Sequence, residues 1–148
     1  MDCRELEALW HREFPVAAAM RVKVDAWEGG RLCISAPLAH NHNIHGTGFA
    51  GSQYALAALC GWGAITLRMA ELDLPGSILT TEGNITFATP VNGDLAIRCN
   101  LAPFEAEFET LASTGRATFA LPCEISEVAT PTTVCSRYEG TYPVRLRR

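Results

Sequence analysis

Between Leu32 and Leu67 this 148-residue chain carries no Asp, Glu, Lys or Arg, although charged residues make up 19% of the whole. A charge-free run of that length has to be enclosed by something. From about Gly48 to Leu72 the spacing is helical and apolar on most sides, so the helix either crosses a membrane or lies inside a protein. Phe49 to Leu67 approaches the ~20 apolar residues that a span needs. Gly51, Ser52, Gln53, Gly61, Gly63 and Thr66 interrupt it, however, and no aromatic or basic anchors flank both ends. The expectation is a buried helix without membrane contact, its glycines allowing close packing on a sheet.

The flanking segments supply such a sheet. Asp2 with Glu5 forms a capping box, and Leu6, Leu9, Trp10 and Phe14 repeat at helical spacing until Pro15. Met20, Val22, Val24 and Ala26 alternate with polar residues, Glu28-Gly29-Gly30 turns the chain, and Leu32, Ile34 and Ala36 alternate again. After Pro75-Gly76, the β-branched stretch Ser77 to Ala88 reads as a strand, as does Leu95 to Leu101 beyond the turn at Pro90-Val91-Asn92-Gly93-Asp94. Phe104 to Ala112 allows a short helix, and Arg116 to Ile125 and Thr132 to Leu146 close the chain as strands. The order is helix, two strands, one long apolar helix and four strands. The fold class is therefore α+β, an antiparallel sheet of five to six strands curled around a central helix. Residues 1–148 are read as one domain, since no linker or repeat divides them.

Net charge of −4 argues against a nucleic-acid backbone as partner. Arg145, Arg147 and Arg148 read as a solvated tail and receive no role. The N-terminus shows neither a secretory nor a transit signal, so a cytoplasmic location is expected. Cys3, Cys33, Cys60, Cys99, Cys123 and Cys135 are scattered without a C-x-x-C pair, as reduced thiols are. Cys60, mid-helix among Leu59, Gly61 and Trp62, reads as core rather than nucleophile.

Chemistry concentrates in Asn43-Ile44-His45-Gly46-Thr47-Gly48-Phe49-Ala50-Gly51-Ser52, a polar loop of small residues running straight into the long helix. Small residues let a ligand approach the backbone, and the unpaired N–H groups of a first helical turn point at any negative charge that develops there. An oxyanion formed from a carbonyl under attack would be stabilised at that turn. Ser52 lacks the G-x-S-x-G elbow of a serine nucleophile and suits capping or contact with an acyl carbonyl. His40, His42 and His45 invite a metal reading, but no Cys or carboxylate sits among them, and neither metal nor cofactor is expected.

Asn41-His42-Asn43 with Gly46 to Ser52, Tyr54-Ala55-Leu56-Ala57 with Gly61-Trp62-Gly63, and Asn84-Ile85-Thr86-Phe87 before Pro90-Val91 together resemble the hotdog-fold acyl thioesterases, in particular the domain family typified by the C-terminal part of YiiD. The likeness covers most of the chain. It implies a substrate that is a thioester of coenzyme A or acyl carrier protein, bound at a dimer interface in a homodimer or dimer of dimers. It implies that Asn43 holds water or the carbonyl and that the Ala50 or Gly51 amide polarises the thioester. Thr80 would orient water, with Asn41, Gly46, Thr47, Phe49, Ser52 and Tyr54 contacting substrate. Relatives carry an acid about two turns into the central helix, where this chain has Ala58. Two groups are candidates to replace it as base: His45 in the loop, and Glu82, which the two-residue strand period puts on the face of Thr80. Without a base, the same amides would still stabilise the enolate formed by decarboxylation of a malonyl-type thioester. A non-catalytic acyl-thioester binder is the third reading.

Overall fold

The computed structural model describes residues 1–147. Helix α1 spans Cys3–Glu13 and opens with the expected capping box: the Glu5 amide donates to Asp2 Oδ1 at 2.9 Å and the Asp2 amide to Glu5 Oε2 at 2.7 Å. Leu6 and Trp10 are its buried face. Pro15 does more than end α1. It takes the first position of a second helix, α2 (Pro15–Met20), where its missing N–H costs nothing. Met20 thus belongs to a helix, and the strand expected from Met20 begins later, at Lys23.

Strands β1 (Lys23–Glu28) and β2 (Arg31–Ala36) form the hairpin, Glu28 opposite Arg31, with Gly29 and Gly30 both at positive φ in the turn. Helix α3 covers Ala50–Glu71, β3 Gly76–Ile78, β4 Glu82–Phe87, β5 Leu95–Asn100, α4 Glu105–Thr114, β6 Arg116–Glu127 and β7 Thr130–Leu146. The short helix that Phe104, Phe108 and Leu111 allow is present as α4. The antiparallel order is β1-β2-β5-β6-β7-β3, with β4 also pairing with β7. Seven segments therefore occupy six positions, because β3 and β4 lie end to end along β7. This curled sheet around one central helix is the hotdog fold.

The single strand expected over Ser77 to Ala88 is broken. Ile78 pairs with Val144 and Glu82 with Thr141, so four steps along this edge oppose three along β7. One extra residue is a bulge, and a bulge reverses which side chains face the core. Before it Ile78 is half-buried, and after it Gly83 and Ile85 are the half-buried positions while Glu82, Asn84 and Thr86 are exposed.

Helix α3 packs on the sheet through Leu56, Ala57, Cys60, Ala64, Ile65 and Leu67, all fully buried. Its glycines do what close packing requires. A Cβ on Gly61 would overlap the Tyr142 hydroxyl, and one on Gly63 would overlap the Trp10 ring. The Tyr142 hydroxyl uses that space to donate to the Ala58 carbonyl at 2.9 Å. Among the described residues no helix is long and apolar enough to cross a membrane. For Gly61→Ala the helix-propensity gain of about 1 kcal/mol opposes an overpacking penalty of about 1–3 kcal/mol and the loss of the Tyr142 bond. The overlap is with the phenol of a fully buried ring, so the penalty wins. Thermal unfolding of Gly61→Ala is expected to fall by several degrees, and a rise would show that the contact yields freely.

Candidate active site

The loop between β2 and α3 is a closed, self-bonded turn. His42 and Gly48 form an isolated antiparallel bridge. Inside it the Asn43 amide donates to the Thr47 carbonyl at 2.8 Å and the Gly46 amide to the Asn43 carbonyl at 3.1 Å. Gly46 sits at φ +75, which a side chain would disfavour. The Asn43 side chain ties the loop further. Its Oδ1 accepts from the amides of His45 (2.9 Å) and Thr47 (3.1 Å), and its Nδ2 donates to Thr47 Oγ1 (2.8 Å). Asn43 is thus chiefly a loop-former, with one Nδ2 hydrogen left for a ligand. His45 lies at the tip beside Ile44, which is 96% exposed.

Asn41 anchors the base of the loop. It is 2% exposed, and its Nδ2 donates to the carbonyls of Met20 and Pro37, both at 2.9 Å. Its backbone carbonyl accepts from the Phe49 amide at 2.8 Å, which delivers the chain into α3. Buried Asn41 Oδ1 has no partner among the described residues. Phe49 is the N-cap of α3 and provides no side-chain cap; the first intrahelical bond at this end runs from Gln53 to Phe49. Among the described residues, the amides of Ala50, Gly51 and Ser52 consequently have no acceptor. Phe49 folds its ring over Gly51, where a Cβ would come within 2.5 Å of Cε1.

Gln53 holds loop, helix and sheet together. It is 3% exposed, donates from Nε2 to the Gly48 carbonyl at 3.1 Å and accepts at Oε1 from Ser136 Oγ on β7 at 2.6 Å. The Gly48 amide donates to the carbonyl of buried Val91 at 2.8 Å, so the loop motif meets the Pro90-Val91 motif. Gln53, Val91 and Ser136 were not candidates from sequence. A glutamine within an otherwise apolar helix was the available signal, because a buried carboxamide requires partners.

Beyond its first turn, α3 presents a groove of about 240 Å³, lined on the helix by Ala55, Ala58, Leu59 and Trp62 and on the other side by Ala17, Met20 and Thr80. Thr80 and Ala58 therefore meet in one groove. Glu82 does not join them. The bulge turns it to the opposite side of the sheet, where it lines an open polar groove with Glu124, Arg137 and Glu139. The shared face expected for Thr80 and Glu82 is corrected accordingly. His45 does not line the Ala58 groove either. Tyr54, 37% exposed, packs edge-on against Tyr138 at 5.5 Å and fills the space above Gly83. Tyr138 and Tyr142 share a 3.2 Å hydroxyl contact, and burial raises both pKa values, holding them protonated.

Cys60 is fully buried, and desolvation pushes its thiol up, as befits a packing residue. His40, His42 and His45 form no metal-holding group with other ligands among the described residues. Arg145 is exposed and stands opposite Arg116, while Arg148 lies outside the described residues.

Solved structures share this architecture over nearly their full length. One, described as a "putative thioesterase" from Shewanella oneidensis, is 28% identical with a TM-score of 0.82, covering 98% of this chain and 97% of that one. A Chlorobaculum tepidum protein with unknown function is 26% identical with a TM-score of 0.86, covering 98% and 94%. A Haemophilus influenzae thioesterase, 14% identical with a TM-score of 0.77 over 99% and 92%, shares the fold. The family described as "Putative thioesterase (yiiD_Cterm)" matches residues 3–146, and the chain belongs to it.

Proposed function

We propose that this protein hydrolyses an acyl thioester carried on coenzyme A or acyl carrier protein. The observation that carries this reading is a set of acceptor-free amides at Ala50, Gly51 and Ser52 in the first turn of the helix whose following turns, at Ala55, Ala58, Leu59 and Trp62, line an apolar groove. A thioester carbonyl set at that turn gains donors as its oxygen becomes anionic, while the acyl chain lies along α3. Thr80 presents its hydroxyl to water in the same groove. Asn43 and Asn41 keep the turn in place, and Thr47, Phe49 and Tyr54 edge the approach to it. The groove's own lining holds no carboxylate or imidazole, and Glu82 faces the other side of the sheet, so proton removal falls to His45 supplied by a second copy. Pairing of two chains through β4, which among the described residues is bonded to β7 alone, would form a homodimer or dimer of dimers and cover an open sheet edge.

The pairing of Ala58 with Thr80 favours a second reading. A malonyl carboxylate in an apolar groove is poorly solvated, its loss as carbon dioxide requires no base, and the first-turn amides would hold the enolate. One assay separates the two. Purified protein is given short, medium, aromatic and malonyl thioesters while free thiol and carbon dioxide are followed separately. Thiol release without carbon dioxide is the expected result. Carbon dioxide with intact thioester would establish the second reading in its place, and binding without either product would make the chain a thioester carrier.

A further inference from the structure

The groove has a direction. At one end, the Met20 carbonyl accepts from Asn41, whose own carbonyl accepts from the Phe49 amide, so the last residue of α2 sits beside the head of α3. At the other end, the ring of Phe14 meets that of Trp62 edge-on, with centroids 5.6 Å apart and planes at 74°. Helix α2 therefore runs antiparallel to α3 across the groove, from the Phe14–Trp62 contact back to the acceptor-free turn. On α3, Gly51, Ala55, Ala58 and Trp62 follow one another at spacings of four, three and four, a single face of the helix. Ala55 and Ala58 line the middle of this track, the ring of Phe49 lies over Gly51 at its start, and Trp62 ends it.

Phe14 is held at its backbone, while the residue is 38% exposed and its ring touches Trp62. It is the last cap of α1 and the first of α2, its amide bonded to the Trp10 carbonyl at 2.9 Å and its carbonyl accepting from Ala18 at 3.2 Å, with Pro15 restricting the joint. Trp62 is half-buried against the core. Together the two rings line the far end of the groove.

We infer that Phe14 and Trp62 set the length of acyl chain the protein accepts, an inference that rests on the thioester reading of the groove. From Gly51 to Trp62 the helix rises about 16 Å. Less the width of a ring, about 12 Å remain, which suits a saturated chain between octanoyl and decanoyl with its carbonyl at the first turn. Longer chains meet Trp62 and must fold back or leave methylenes in water.

The test compares the full-length protein with Trp62→Ala and, separately, Phe14→Ala, each checked for folding by circular dichroism and thermal unfolding. Hydrolysis of hexanoyl-, octanoyl-, dodecanoyl- and palmitoyl-coenzyme A is followed by free thiol. In parallel, non-hydrolysable thioether analogues of the same lengths are titrated calorimetrically. In the wild type, affinity should rise with length and break before palmitoyl. In Trp62→Ala the palmitoyl-to-octanoyl ratio should rise about tenfold or more, the discrimination a few methylenes produce in an apolar site. Phe14→Ala should shift it in the same direction. An unchanged ratio in a folded variant overturns the inference while thiol release leaves the thioester reading intact. A shifted affinity break with no thiol release from any chain does the reverse. Should neither analogue affinity nor turnover depend on chain length in the wild type, the inference is likewise overturned.

Discussion

Ala50→Pro is expected to lower kcat by about 10²–10³, the effect of removing one oxyanion donor (~2.7–4 kcal/mol), while leaving the fold as stable as before. The substitution is unusually clean here. Ala50 is the first residue of α3, an exposed position whose N–H has no acceptor, so proline removes no hydrogen bond. The residue before a proline must be extended, and Phe49 already is, at φ −66 and ψ 131. Restricting the unfolded chain should even add a few tenths of a kcal/mol to stability. Because the negative oxygen exists only in the transition state, the loss belongs in kcat, with KM little changed. Ala50→Gly keeps the amide and serves as control. Steady-state kinetics beside thermal unfolding decide the matter: a folded Ala50→Pro enzyme with wild-type kcat would remove this amide from the reaction, and with it the main support for hydrolysis at this turn.

That experiment depends on a feature the sequence displays openly. The charge-free run from Leu32 to Leu67 announces an enclosed helix, and the small residues before Ser52 announce an accessible first turn. Alternation made most strands legible because a one-sided sheet has a strict two-residue period. The bulge between Ile78 and Glu82 was not legible, since an added residue leaves composition and β propensity unchanged. It is nonetheless decisive for the site, because it sends Thr80 and Glu82 to opposite sides. From sequence Pro15 reads as a stop to α1, because Val16 to Met20 form too short a segment to display a helical period. Asn43 was visible as a polar loop residue, but that its carboxamide would be used mostly within its own loop follows from the Asn43–Thr47 geometry alone.

Gln53 was the least legible and should prove the most consequential for stability. Gln53→Met keeps the volume but leaves Ser136 Oγ and the Gly48 carbonyl without the partners that the carboxamide supplies. Each stranded buried group costs about 1–3 kcal/mol, so a total near 3 kcal/mol is expected. For a chain of this size that means a fall in Tm of about 6–12 °C. The loss should not be that of a simple cavity, and a second substitution reveals why. Ser136→Ala removes the hydroxyl that Gln53→Met strands, and replacing both partners of a buried bond by apolar groups approaches neutrality on that side. The double variant should therefore be more stable than the sum of the two single losses implies, with a coupling of about 1–2 kcal/mol. The Gly48 carbonyl remains unserved in either background. Because that carbonyl belongs to the residue that closes the His42–Gly48 bridge and leads into Phe49, loosened packing should persist there even as stability partly returns. Hydrogen exchange at the Gly48 and Phe49 amides should quicken in both Gln53→Met and the double variant, but not in Ser136→Ala alone. Strict additivity of the two stability losses, or exchange at Gly48 that ignores Gln53, would show that this glutamine fills space rather than pinning the loop to the helix.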